Sequence, residues 1–193
     1  MSFISETQLS NYRRSRTQMF SADNFVDLNE SHYRDKSRPM VFLSHKHDEQ
    51  EILQGVVAFL KEEGVDVYVD WMDPSMPAYT NAETAHSLKD KIRVADKFIL
   101  VATPSAINSK WCNWELGLGD AAKYKEHIAL LPINKTNETF RGAEYLAIYP
   151  YIDYENGNNQ YEDGRYIQKG YYVKTNLNNK YIRLTPLKDW LIK

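Results

Sequence analysis

Four short apolar runs, rich in β-branched residues, constrain the fold of this chain more than any other feature. Strands that are buried on both faces of a parallel sheet are continuous apolar runs of this length, because helices cover both sides of such a sheet. Segments of helical length separate the runs, which predicts repeated strand–helix–strand crossovers. We therefore predict an α/β fold with a doubly wound sheet of parallel strands. The runs are Met40–Leu43, Val65–Val69, Phe98–Ala102 and Ile128–Ile133.

The segments between these runs carry signals that begin and end helices. Asp48, followed three residues later by a glutamate, predicts the N-cap of a first helix that ends at Gly64. Thr80, again with a glutamate three residues later, predicts the N-cap of a second helix. A third helix is predicted to start near Ser109. Each of the first three strands is thus followed by a helix with a marked start.

The first part of the chain lies outside this alternating pattern. Residues 1–37 are polar and predict an N-terminal helical extension, with a capping box at Ser5 and Gln8 and with solvated arginines. Residues 38–193 are predicted to form a single domain, since a chain of 193 residues can bury one compact core.

The C-terminal part of this domain has weaker signals. Residues 149–154 resemble a fifth strand. Residues 155–181 are rich in tyrosine and predict either a hairpin or a long surface insertion, and the sequence leaves both open. The pair Thr185-Pro186 predicts a last short helix with proline at its first position.

Charge and cysteine content exclude several classes of function. The 24 lysines and arginines against 26 aspartates and glutamates create no basic field, so neither a nucleic acid nor a membrane is expected as a partner. Cys112 is the only cysteine, which excludes an intramolecular disulfide and a zinc site built on cysteines. We expect a cytoplasmic protein, because the sequence carries no secretory signal and no apolar run of membrane-spanning length.

Polar residues follow the carboxyl ends of three predicted strands. The first strand leads into Ser44–Asp48, the second into Asp70-Trp71, and the third into Thr103–Ser105, ahead of the helix that bears Glu115. In a doubly wound sheet of strand order 2-1-3-4-5, ligands bind at this edge, at the switch point between the first and third strands. We therefore expect these polar groups to converge on one site.

Common catalytic signatures are absent from the sequence. It has no glycine-rich nucleotide motif after a strand and no G-x-S-x-G elbow, which argues against a dehydrogenase, a P-loop NTPase and a serine hydrolase. Ser44 and His45 are adjacent on a strand and would point to opposite faces, which disfavours a nucleophile–base pair. We expect no metal at His45 and His47, and favour hydrogen bonds from them to a phosphate or ribose. Trp71 either stacks on a base or shields a loop.

The sharpest local signal is the segment Trp111-Cys112-Asn113-Trp114-Glu115. Trp111 and Glu115 are four residues apart, so they share one helical face and place a carboxylate beside an indole near the helix start. The residues alone leave two interpretations open. Glu115 is either a surface glutamate beside two core tryptophans or the functional carboxylate of a site.

These segments together resemble a bacterial TIR (Toll/interleukin-1 receptor) domain, and the resemblance covers about residues 38–155. It implies a flavodoxin-like fold of strand order 2-1-3-4-5. The chain also resembles the stand-alone TIR proteins of Thoeris-type anti-phage defence. This resemblance implies cleavage of the nicotinamide–ribose bond of NAD+ and a cyclic ADP-ribose isomer as product. Glu115 matches the catalytic glutamate of the family. The matching segments are Val41–His45 with Asp48, Val67–Asp70, and Trp111-Cys112 with Glu115.

The same resemblance implies partners. The loop Trp71–Thr80 matches a family loop that shapes the pocket and mediates assembly, so self-association is expected. A diffusible product would act on a separate effector protein. The main alternative is a non-enzymatic adaptor that assembles through TIR–TIR contacts, and a third hypothesis is a nucleoside-processing enzyme such as a deoxyribosyltransferase.

The chemistry of NAD+ cleavage suits a single carboxylate. NAD+ carries its positive charge on the pyridinium and releases neutral nicotinamide, so the reaction needs neither a general acid nor a cofactor. The site must supply a negative charge near the developing cation, an acceptor for the ribose hydroxyls and an aromatic wall. We predict Glu115 as the catalytic residue. The predicted substrate-binding residues are Ser44, His45, His47, Asp70, Trp71 and Trp111.

Overall fold

The structure, a computed structural model, describes residues 3–17, 38–70, 82–134, 143–178 and 181–193. Its strands are β1 (Ile4–Ser5), β2 (Met40–Ser44), β3 (Asp66–Tyr68), β4 (Lys97–Ala102), β5 (Ile128–Asn134), β6 (Tyr151–Glu155), β7 (Gly170–Asn178) and β8 (Tyr181–Pro186). Its α-helices are α1 (Glu6–Thr17), α2 (Gln50–Glu62), α3 (Ala82–Val94), α4 (Pro104–Ile107), α5 (Lys110–Ala122), α6 (Ala143–Ile148) and α7 (Leu187–Ile192). None of these helices is long and apolar enough to cross a bilayer.

The strands form one mixed sheet in the order β3-β2-β4-β5-β6-β7-β8. The five strands from β2 to β6 are mutually parallel, which confirms the predicted order 2-1-3-4-5 and the flavodoxin-like fold. Strands β7 and β8 add to one edge in antiparallel orientation. Residues 155–181, for which the sequence left two alternatives, therefore contribute a strand of the sheet itself.

Both faces of the sheet are covered by helices. Successive residues of β2 point to opposite faces, so Val41 and Leu43 join a core with α1, α2 and α7, whereas Phe42 joins a second core with α3 and α5. All three side chains are buried. Burial on both sides thus explains the apolar runs of β2, β4 and β5. The prediction is wrong for β3, whose residues are only half-buried because this strand lies at the edge of the sheet.

The N-terminal segment packs on the sheet. The capping box is confirmed, since the amide of Ser5 donates to Gln8 Oε1 at 2.8 Å and the amide of Gln8 donates to Ser5 Oγ at 3.2 Å. Strand β1 pairs with the end of β5. Leu9 on α1 is buried against Gly55 of α2, where an added Cβ would lie 2.7 Å from the Leu9 Cβ. Of the arginines, Arg13 forms an ion pair with Glu51 at 3.3 Å.

The start of the first long helix differs from the prediction. Helix α2 begins at Gln50 with Glu49 in the N-cap position and no side-chain cap, so the prediction of Asp48 as N-cap is wrong. Asp48 lies in the preceding turn, which a bond from the Glu49 amide to the Lys46 carbonyl closes at 3.1 Å. The predicted end is confirmed, because Gly64 follows the helix with a φ of 90° that favours glycine.

The starts of the other helices fall close to their predicted places. Ser109 is the N-cap of α5, as predicted, and its Oγ accepts from the Cys112 amide at 3.4 Å. Helix α3 begins at Ala82, and its predicted cap Thr80 lies outside the described residues. Pro186 occupies the N-cap position of α7, so the prediction of proline at the first helical position is wrong by one residue.

A buried ion cluster joins the C-terminal strands. The Lys174 ammonium on β7 lies 2.7 Å from Asp153 Oδ2 and 2.6 Å from Glu155 Oε1, both on β6. These two carboxylates are almost fully buried. Since a buried charge is costly without its partner, this cluster ties the antiparallel edge to the parallel sheet.

Candidate active site

The candidate site forms where α5 crosses the carboxyl end of β2. Ser44 is the last residue of β2, and its Oγ donates a hydrogen bond of 2.5 Å to Glu115 Oε2 on α5. Both residues are buried. One turn earlier on the helix, the Cys112 thiol donates to the carbonyl oxygen of His45 at 3.2 Å, which fixes α5 against the loop after β2. The sheet edge predicted to hold the site thus contains a carboxylate screened from water.

Asp70, which follows β3, faces the Nε2 atoms of two histidines in the loop after β2. His47 Nε2 is 3.3 Å from Asp70 Oδ2, and His45 Nε2 is 3.7 Å from Asp70 Oδ1. The two imidazole rings stack with centroids 5.4 Å apart. Nδ1 of His45 lies 3.3 Å from the carbonyl oxygen of Leu43 and can donate to it. These side chains come together because the carboxyl ends of β2 and β3 are adjacent in the sheet.

The environment of Glu115 strongly favours its neutral form. Burial raises the pKa of the Glu115 carboxyl to about 8, and the negative charge of Asp70 acts in the same direction. The hydrogen bond from Ser44, the charge of His47 and a hydrogen bond with Trp111 lower this pKa, but they do not offset burial. A ligand that brings positive charge next to Glu115 would favour the carboxylate. The site is therefore suited to a cation.

The pKa values of the two histidines are shifted in opposite directions. Burial lowers the pKa of His45 and keeps it neutral, although Asp70 acts in the opposite direction. The hydrogen bond to Asp70 raises the pKa of His47, whose side chain is 58% exposed. The buried imidazole of His45 is thus neutral and serves packing, whereas the exposed imidazole of His47 can exchange protons with solvent or a ligand.

The tryptophans predicted to form an aromatic wall have different positions. Trp111 is half-buried on the same helix as Glu115 and stacks on Trp114 with ring centroids 4.8 Å apart. Trp71 and the rest of the loop Trp71–Thr80 lie outside the described residues. Of the two tryptophans predicted for the wall, Trp111 is thus the one that the described residues include, and its role in the site stays a prediction.

The structure adds one contact beside the site that the sequence analysis missed. Thr103 Oγ1 donates to Glu49 Oε2 at 2.5 Å and accepts from the amide of Ala106 at 3.0 Å. Thr103 thereby caps α4 and ties the start of α2 to the end of β4. A threonine between a buried strand and a proline was the available signal. Within the described ranges, no group of three or more His, Cys, Asp or Glu side chains could hold a metal ion.

The sheet order defines a flavodoxin-like α/β protein, and Glu115 is a buried carboxylate at its switch point. Comparison with family models gives the class more closely: the TIR domain model matches residues 41–168, and the chain belongs to the TIR domain family. The matched region contains every residue predicted for the site.

A curated relative comes from Bacillus cereus strain MSX-D12. It is described as the probable 3′ cyclic ADP-D-ribose synthase ThsB′, and it is 30% identical to this chain over 116 residues. The match covers 58% of this chain and 59% of the relative. The chain thus spans somewhat over half the length of the relative that it matches.

Proposed function

We propose that this chain cleaves the nicotinamide–ribose bond of NAD+, as an NAD+ glycohydrolase and ADP-ribosyl cyclase with Glu115 as the catalytic carboxylate. The observation that carries the proposal is the buried Glu115, which bonds to Ser44 and whose pKa is raised to about 8. A surface that only binds other TIR domains does not require a buried carboxyl group with a raised pKa. Membership in the TIR domain family and the similarity to a probable cyclic ADP-ribose synthase support the same reaction.

The mechanism follows from the charges of the substrate. As the bond between ribose C1 and the pyridinium nitrogen breaks, its electron pair leaves with nicotinamide, and positive charge develops on the ribose ring. The Glu115 carboxylate stabilises this oxocarbenium ion, and its second oxygen can accept a hydrogen bond from a ribose hydroxyl. Trp111 offers a flat apolar surface to the nicotinamide ring. We propose no cofactor, since NAD+ itself carries the leaving group in activated form.

The product of the second step distinguishes a hydrolase from a cyclase. A hydroxyl or adenine nitrogen of the same molecule gives a cyclic isomer, whereas water gives linear ADP-ribose, and a closed, dry site favours the former. We propose that part of the product is a cyclic ADP-ribose isomer that signals to a separate effector protein in the cytoplasm during anti-phage defence. Mass spectrometry of purified reactions and of infected cells tests this. Linear ADP-ribose alone in both would contradict the signalling role.

The proposed role of Glu115 predicts a specific pH dependence. The kcat/KM for NAD+ should rise with pH through about 8, because the free enzyme must lose the Glu115 proton to stabilise a cation. Ser44→Ala removes a hydrogen bond that favours the carboxylate, so the midpoint should move to higher pH. Nicotinamide release measured across neutral and alkaline pH gives both midpoints.

Ser15→Ala is the matched control for this profile, because Ser15 is exposed and its hydroxyl donates to the Tyr12 carbonyl within the same helix, α1. Its midpoint should equal that of the wild type. Identical midpoints for the wild type and Ser44→Ala would show that Glu115 ionisation does not control the reaction.

Self-association is a separate part of the proposal. If a neighbouring copy completes the pocket at the loop Trp71–Thr80, specific activity should rise with protein concentration by mass action. The measurement is nicotinamide release per molecule over a dilution series, with inert carrier protein to prevent surface loss. Constant activity per molecule, together with a monomer by light scattering, would contradict it.

A further inference from the structure

His47 and Asp70 form a pair that the bond-breaking step does not use. Asp70 is largely buried, with 11% of its side chain exposed, whereas His47 is 58% exposed. Because His47 Nε2 faces Asp70 Oδ2 at 3.3 Å, its N–H can donate to that carboxylate. The Nδ1 of His47 then carries the lone pair. The pair therefore consists of an inner carboxylate and an outer imidazole with one basic nitrogen.

The position of His47 is restrained from two sides. Asp70 holds one edge of the ring, and the buried His45 ring stacks beneath it with an interplanar angle of 24°. The His45 side chain is 4% exposed, and its Nδ1 contacts the carbonyl oxygen of Leu43 on β2. A stacked ring on a rigid support restricts rotation of His47, so the orientation of its basic nitrogen is fixed before any ligand binds.

The second half of the proposed reaction needs a base when the nucleophile is a hydroxyl or water. When a hydroxyl or water oxygen bonds to ribose C1, it must lose a proton. Glu115 is required as an anion while the ribose ring is cationic, so a second acceptor allows the carboxylate to keep its charge until the new bond has formed. In the described part of the site, His47 is the partly exposed group with a basic nitrogen free to accept.

We propose that His47, positioned by Asp70, is the general base that deprotonates the attacking hydroxyl or water in the second step. This inference rests on the proposed function. A lone pair of the attacking oxygen forms the bond to C1, the electrons of its O–H bond stay on that oxygen, and the proton moves to His47 Nδ1. The resulting imidazolium is stabilised by Asp70. Asp70 is a positioning residue, because it acts through His47.

The charges around His47 agree with this role. The hydrogen bond and charge of Asp70, together with Glu115, stabilise the imidazolium, whereas burial and Lys46 oppose it, and the net result is a raised pKa for His47. A raised pKa makes the imidazole a stronger base for the proton of the attacking oxygen. Asp70 supports His47 in the way that a carboxylate supports the histidine of a catalytic triad.

A nucleophile that has no proton to lose provides the test. A substituted pyridine such as 3-acetylpyridine attacks the ribose cation through its nitrogen lone pair and forms an exchanged dinucleotide without a base. Purified protein is given NAD+ with this probe, and the exchanged dinucleotide is measured against the sum of linear and cyclic ADP-ribose. In His47→Gln, the ratio of exchange to hydrolysis plus cyclisation should rise at least about tenfold, since general bases contribute about 100-fold or more.

Two further variants sharpen the result. Asp70→Asn should raise the same ratio, because it keeps the shape but no longer stabilises the imidazolium. His86→Gln is the matched control: His86 also lies 3.7 Å from an aspartate, Asp90, but on the exposed surface of α3, and the ratio should equal that of the wild type. If His47→Gln only disturbed the structure, it would lower exchange, hydrolysis and cyclisation by the same factor. The ratio of exchange to hydrolysis plus cyclisation would then equal that of the wild type, and this outcome overturns the inference. Wild-type protein that releases no nicotinamide with or without the probe would instead refute the proposed function.

Discussion

Glu115→Gln is expected to lower nicotinamide release by about 100-fold or more. The substitution keeps the shape of the side chain and its contact with Ser44 but removes the negative charge that faces the developing cation. Charge stabilisation of this kind contributes roughly 3 kcal/mol in other enzymes, which corresponds to a factor of about 100 to 1,000 in rate. The measurement is kcat for nicotinamide release at a pH above 8, where the wild-type carboxyl is ionised.

A matched variant separates catalysis from stability. Glu83→Gln makes the same chemical change at an exposed residue in the first turn of α3, and it should keep wild-type turnover. Circular dichroism of both variants checks that the fold is retained. Turnover near the wild-type level in Glu115→Gln would remove this residue from the mechanism and make Asp70 the next carboxylate to test.

The parallel core could be predicted because its signals are local. Strands β2, β4 and β5 are largely apolar runs, and burial on both faces is the physical reason. Ser109 was identifiable as a cap because its hydroxyl satisfies an amide three residues away. Glu115 stood out because it follows Trp111 by one helical turn. In each case the information lies within a few residues of sequence.

The features that the sequence did not predict depend on distant contacts. The helix α1 is polar over most of its surface, yet Leu9 is buried because Gly55 leaves room for it on α2. The pairing of Ile4 with Ile133 joins the N-terminal segment to a strand that is distant in the sequence. Asp48 matched the capping pattern, but the turn that precedes α2 placed Glu49 in the cap position instead. Local propensity does not encode such choices.

The sequence indicated which residues would lie near the candidate site, but not how their side chains would be arranged. The ends of adjacent parallel strands had to meet, so the proximity of Ser44 and Asp70 followed from topology. That Asp70 faces the Nε2 atoms of both His45 and His47 follows from the path of the loop after β2, which has no regular secondary structure. The raised pKa of Glu115 depends on complete burial, and a sequence pattern does not specify burial of a single glutamate.

The same burial predicts that Glu115 destabilises the fold at alkaline pH. Its pKa is about 8 in the folded protein against 4.5 for an ordinary glutamate, so the folded state holds this proton more tightly than the unfolded state does. The contribution of Glu115 to the free energy of unfolding is therefore fully present below about pH 4.5 and is lost as the pH rises through about 8. The loss is on the order of 4–5 kcal/mol when complete.

Glu115→Gln should abolish this loss, because the amide is neutral at every pH and still contacts Ser44. We expect the variant to match the wild type in urea unfolding near pH 5 and to exceed it by several kcal/mol near pH 9, which corresponds to roughly 10 °C or more in Tm. Stability curves that remain parallel over this range would show that Glu115 ionises as easily in the folded as in the unfolded chain. Under the proposed function, bound NAD+ places the positive charge of its pyridinium next to the Glu115 carboxylate. NAD+ should therefore raise the Tm of the wild type more at pH 9 than it raises that of Glu115→Gln.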